Sequence, residues 1–140
     1  MTVNFLQRSI WQRIFGISAT ELPQDESGWN YESGQLTISL ERIPELTRSG
    51  TAVRFEGKNL PERVLVVFDE NQKYQALHNR CTHIGHRRLD YVPETDTVQC
   101  CSVNKSTYTL AGEKIFGPAP GSVSTYPVEV TEGKLIIQIS

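Results

Sequence analysis

Residues 81 to 106 read CTHIGHRRLDYVPETDTVQCCSVNKS, opening on Cys-Thr-His and closing on a Cys-Cys pair with no second histidine. All three cysteines of the 140-residue chain lie in this stretch. A stabilising disulfide framework would spread an even number of cysteines through the chain. Three clustered thiols beside histidine point instead to metal binding or thiol chemistry. Two loops carry them, 78–89 and 97–106, and a glycine- and proline-rich GPAPG follows at 117–121.

Around these loops the sequence alternates with a period of two. QLTISL (35–40) places Leu36, Ile38 and Leu40 on one face of a half-buried strand. AVRFEG (52–57) and RVLVVFDE (63–70) follow, the second β-branched enough for a central strand. After the DENQ turn, KYQALHNR (73–80) runs back as a strand into Cys81. Beyond the cysteines come STYTL, a turn at Ala111-Gly112, EKIFG, and then STYPVEV and KLIIQIS joined across Glu132-Gly133. Many short strands between turns predict an all-β fold, an antiparallel sandwich or small barrel.

The N-terminal part differs. Leu6, Ile10 and Ile14 recur every four residues, with Trp11 and Phe15 alongside, which predicts an amphipathic helix over Val3 to Ile17 closed by Gly16. Such a helix either packs on its own domain or docks on a partner or membrane surface. Residues 18–34, rich in Ser, Asp, Glu, Pro and Gly, read as a surface linker. The expected organisation is a helix and linker at 1–34 and a β domain at 35–140. The length suits one hydrophobic core. A net charge of -2 argues against a partner held by phosphate contacts. Without an 18-residue apolar run no transmembrane helix is expected, and Arg8 and Arg13 break any signal-peptide pattern. The cytoplasm is the expected location.

From about residue 35 to the end, the chain resembles the Rieske [2Fe-2S] domain family. The resemblance rests on CTHIGHRRL, CSVNKSTYTL, Gly112, the GPAP loop and the closing YPVEV…GKL hairpin. It implies a [2Fe-2S] cluster held by Cys-x-His and, 15 to 17 residues on, by Cys-x-x-His. Two thiolates would hold one iron and two neutral imidazoles the other, which raises the reduction potential above that of an all-thiolate cluster.

Carried onto this chain, the resemblance assigns Cys81 and His83 to the first pair. The second cysteine has two registers. Cys101 brings Ser106 and Tyr108 onto the family's Ser-x-Phe/Tyr and is the preferred reading; Cys100 preserves the distance to Gly112. The fourth ligand is replaced in both, by Asn104 after Cys101 or by Val103 after Cys100. Three repairs are open. His86 can take the vacant position, which is the preferred one; Cys100 can join Cys81 and Cys101; or Asn104 or water can complete the site. Arg87, Arg88 and Asp90 read either as a docking patch for an acidic partner or as a solvated loop face. Tyr108 reads as a donor to a cluster sulfur or as core.

The function this implies is a Rieske-type electron-transfer protein, a ferredoxin or the redox subunit of a larger oxidoreductase, with an altered ligand set and a protein redox partner. It is a carrier or subunit more than a stand-alone enzyme. The competing readings are a cluster-free accessory subunit on the same fold, and a thiol-redox or zinc protein built on the same loops.

Overall fold

The structure, a computed structural model, describes residues 3–14, 16, 18–82 and 87–140. Among these residues twelve strands make three antiparallel sheets. The first contains β1 (Trp29–Glu32), β2 (Gln35–Ser39), β11 (Val128–Thr131) and β12 (Lys134–Gln138), in the order β1-β2-β12-β11. Alternation explains its inner face: Leu36 and Ile38 on β2 meet Ile137 and Leu135 on β12 in register, and all four are fully buried. Each such side chain contributes roughly 1.5–3 kcal/mol on leaving water. Glu132 and Gly133 turn β11 into β12 with φ of 46° and 76°, the left-handed pair that matches the twist of a two-residue hairpin.

The second sheet contains β3 (Thr51–Phe55), β4 (Val64–Phe68), β5 (Tyr74–His78) and β10 (Thr125–Tyr126), in the order β10-β5-β4-β3. Its central strand has apolar neighbours on both faces. Val64 and Val66 join Phe55, Leu36 and Ile137 in one core, while Leu65 and Val67 join Leu77, Leu89 and Tyr108 in another. Two-sided burial is why β4 reads as an unbroken apolar run. The third sheet, β6 (Leu89–Val92), β7 (Thr97–Cys100), β8 (Thr107–Thr109) and β9 (Lys114–Phe116), closes the second core in the order β6-β7-β8-β9. All three sheets stay open, so the fold is mostly β without a closed barrel.

Three expectations need correction. Within the span read as a linker, Trp29–Glu32 forms β1 and pairs along β2. Within the span read as the second loop, Thr97–Cys100 forms β7, buried at every position. The predicted helix over Val3 to Ile17 shrinks to α1, Ile10–Ile14, and its sidedness is reversed. Ile10, Trp11 and Ile14 are exposed, whereas Arg13 is 4% exposed. Residues 3–9 carry no regular structure, and 15 and 17 lie outside the described residues.

Candidate metal centre

The loops following β5, β7 and β9 reach one end of the molecule, and backbone hydrogen bonds tie them together. Cys81 N donates to Arg87 O at 3.0 Å, and Cys101 N donates to Arg88 O at 3.0 Å. Cys100 N donates to Ser106 O at 2.7 Å, closing the second loop on itself. The GPAP segment covers the site: Ala119 N donates to Ser106 Oγ at 3.2 Å, and Thr82 Oγ1 donates to Gly121 O at 2.9 Å. Gly117 permits that approach. A Cβ there, at φ 95°, would lie 2.6 Å from Ser106 Cα, a contact that forces the loops apart.

Successive side chains of an extended segment point to opposite sides, and this separates the vicinal cysteines. Cys100 turns inward, where its thiol and that of Cys81 are within hydrogen-bonding reach of each other; both residues are fully buried. The Cys81 thiol and burial together push the Cys100 thiol well up, so without a metal it stays protonated at neutral pH. Cys101 turns the other way, and its Sγ donates to Gly16 O at 3.2 Å. Burial raises its pKa too.

Around the facing thiols stand Tyr108, Asn104 and Ser102, whose Oγ is 3.4 Å from Cys100 Sγ. Tyr108 Oη is 3.7 Å from Cys81 Sγ and bonds Thr82 through its backbone N–H at 3.2 Å and its hydroxyl at 3.0 Å. Burial pushes the Tyr108 phenol up to about 12, so it remains a neutral donor. Asn104 Nδ2 lies 3.6 Å from Cys100 Sγ and 4.0 Å from Cys81 Sγ, and donates to Ser102 Oγ at 2.8 Å. Its Oδ1 accepts from Ser106 N at 2.7 Å. The amide therefore presents N–H groups to the sulfurs and engages its oxygen elsewhere, the reverse of what a metal ligand needs.

The donor set fits a [2Fe-2S] centre on one side only. Cys81 and Cys100 would supply the two-thiolate half. With Cys100 in that role the third residue onward is Val103, 50% exposed and without a lone pair. Among the described residues no group of three or more His, Cys, Asp or Glu side chains gathers in metal-binding reach. The first-loop histidines assigned from the sequence, His83 and His86, lie outside the described residues. The remaining histidine, His78, is held by Glu62 at 3.3 Å.

The sequence did not single out the N-terminal segment as part of this site, yet it lies across both loops. Arg13 donates to Cys100 O and Ser102 O, each at 3.3 Å. Arg87 Nη2 donates to Ile14 O at 3.3 Å. Asp90, read as part of a docking patch, is 1% exposed; its carboxylate accepts from Ser18 Oγ, Ala19 N, Thr20 N and Thr20 Oγ1 at 2.7–3.0 Å. Arg88 chelates Glu56, which also pairs with Arg54 at 3.0 Å. Burial opposes ionisation of Glu56, but Arg88 and Arg54 hold its carboxyl below the usual range. The one sequence signal for this arrangement is charge: segments 3–20, 78–89 and 100–110 hold six of the 14 basic residues (Arg8, Arg13, Arg80, Arg87, Arg88, Lys105) and none of the 16 acidic ones.

The comparisons agree with the fold and with the motif. The model of the Rieske [2Fe-2S] domain matches residues 40–127. The 3-phenylpropionate/cinnamic acid dioxygenase ferredoxin subunit of Shigella flexneri serotype 5b is 27% identical over 77 residues, 54% of this chain and 73% of the relative. The cytochrome b6-f complex iron-sulfur subunit of Chlorobaculum tepidum is 28% identical over 76 residues, and the match spans 54% of this chain and 41% of that one. The ferredoxin of carbazole 1,9a-dioxygenase from Nocardioides aromaticivorans superposes with a TM-score of 0.58 at 17% identity, covering 74% of this chain and 95% of that one.

Proposed function

Because the chain belongs to the Rieske [2Fe-2S] domain family, we propose that it is an electron carrier with an altered ligand set, a ferredoxin or the redox subunit of an oxidoreductase. The family's cluster supplies one-electron chemistry when bound. In this reading Cys81 and Cys100 hold the buried iron, and His83 with His86 serves the outer one. Cys101 faces Gly16 and takes a structural part. Asn104 donates toward the sulfurs, Thr82 holds the Tyr108 hydroxyl beside Cys81, and the GPAP loop keeps water from the thiols.

The observation that carries the reading is the facing pair of buried thiols, sealed by hydrogen-bond donors in the family's loop framework. The ferredoxin-type relative belongs to a dioxygenase, which supports a protein oxidoreductase as partner. Among the described residues no helix is long and apolar enough to cross a membrane, and the cytoplasm is the location we propose. Val103, where the family has a ligand, favours the second reading, a cluster-free accessory subunit.

Iron and acid-labile sulfide content of anaerobically purified protein, with an EPR spectrum after dithionite reduction, separates the two. Two irons and two sulfides with a signal of low average g-value establish the carrier. A colourless protein that takes up no iron on reconstitution establishes the accessory subunit.

A further inference from the structure

Arg13 is the most deeply buried charge in the N-terminal segment, and it lies outside the family-matched residues 40–127. Its guanidinium ends on four neutral acceptors. Nη1 donates to Cys100 O and Ser102 O at 3.3 Å, and Nη2 to Leu6 O and Gln99 Oε1 at 3.1 Å. Gln99 in turn bonds Asn4 O and Thr107 Oγ1, so the contact spans the N-terminal segment and both strands flanking the second loop.

These four bonds satisfy the N–H groups but not the charge. Among the described residues no carboxylate lies within ion-pair distance of Arg13. Asp90 offsets the charge from beyond ion-pair distance, so the four neutral acceptors are what fix the side chain in place. What lies beyond the two carbonyls it grips is the Cys100 thiol paired with Cys81. Burial, and then Arg8, pull the Arg13 pKa down, while Asp90, and after it Cys100 and Cys101, act in the opposite sense.

We infer that Arg13 is a positioning residue of the thiol centre: its forked side chain holds the Cys100 loop in place. This rests on the assignment of Cys81 and Cys100 as the centre. Fork and charge are separable. Arg13→Lys keeps the charge but loses the planar, multi-donor grip; Arg13→Met keeps the length and loses both.

The test begins with metal-free protein, where the loop is read without any cluster. Amide exchange of Cys101, Lys105 and Ser106 should quicken at least ~10-fold in Arg13→Met relative to the β4 amides Val66 and Val67, because only the loop loses its anchor. Arg13→Lys should also loosen the loop. Should Arg13→Met fail to fold, the exchange pattern of Arg13→Lys decides the matter.

Loop exchange within about threefold of wild type, or equal acceleration in β4, overturns the positioning role. In reconstituted protein the reduction potential should shift in Arg13→Met as the loop beside the centre loosens; an unchanged potential overturns the positioning of the centre. A wild type that never takes up iron removes the proposed function, while the exchange result still decides the positioning role.

Discussion

Two histidine substitutions in the second loop test which cysteine sets the register of the centre. If Cys100 is the ligand, Val103→His places an imidazole three residues beyond it and Asn104→His does not. The structure gives the two changes very different stability effects. Val103 is half exposed, so its replacement should stay within about 0.5 kcal/mol. Asn104 holds Ser102 Oγ at 2.8 Å and Ser106 N at 2.7 Å. Removing it loses two hydrogen bonds of about 1 kcal/mol each and strands the N–H of fully buried Ser106, for a total of about 2–3 kcal/mol. With an m-value of about 1.5 kcal/mol/M, that moves the urea midpoint down by roughly 1.3–2 M. The assay pairs urea unfolding of metal-free protein with iron, sulfide and EPR measurements after reconstitution. We expect Val103→His to keep its midpoint and change the EPR signal of the cluster as its imidazole competes for the outer iron, and Asn104→His to lose stability with the signal unchanged. A changed signal in Asn104→His with none in Val103→His would refute the Cys100 register. No change in either would mean that the second loop does not reach the outer iron.

Other outcomes follow from the same contacts. Cys100→Ser should abolish the visible absorption of reconstituted protein, whereas Cys101→Ser should retain it, because the Cys101 thiol faces Gly16 rather than the other sulfur. Asp90→Asn replaces an acceptor of four hydrogen bonds with a side chain that leaves the Ala19 N–H facing an amide N–H. After allowing for easier burial of the neutral group, we expect a loss of about 2 kcal/mol in denaturant unfolding and faster exchange at residues 18–20. For His78, burial lowers the pKa; Glu62 opposes this, while Arg80 and Arg63 reinforce it. The unfolded chain therefore takes up the proton first as pH falls through about 6.5, and stability from this group is full above that pH and declines below it. His78→Gln should flatten the dependence of the urea midpoint between pH 5 and 7.5, and an unchanged slope would exclude His78 as its source.

Strand alternation was readable wherever one face meets the core and the other meets water, as in β2 and β12. It failed where polar residues are buried. On β7, Thr97 and Gln99 are 1% and 0% exposed, so a strand buried throughout looked like a loop. Gln99 is satisfied by Asn4 and Arg13, residues 95 and 86 positions away in sequence. No local pattern announces such a partner. For the same reason Arg13 looked like the solvent face of a helix when it is the face that packs. β1 escaped because it is four residues long between Ser-Gly turns, although Trp29 packs in the core, with Tyr31 against it. At the centre, the motif located the two loops. Its ambiguity between Cys100 and Cys101 was one of facing, and the side a residue faces depends on where its strand ends. The spacing from Cys100 to Gly112 was the sequence signal that pointed toward the inward thiol.

The separation of charge gives the molecule an electric axis. The six basic residues in the N-terminal segment and the two loops, with no acidic residue among them, leave the other segments with 8 basic and 16 acidic residues. In a chain of net charge -2 the segments that build the thiol centre are thus net positive, offset in part by Glu56 on Arg88 and by buried Asp90, and the other segments are net negative. In the field of an acidic partner such a body turns before it touches, presenting the loops first and shortening the orientational search that limits most encounters. The advantage operates over about 10 Å at 0.1 M salt and fades as ionic strength rises. Bulk electrophoretic or ion-exchange behaviour would report an acidic protein, while the loop end is its less acidic one.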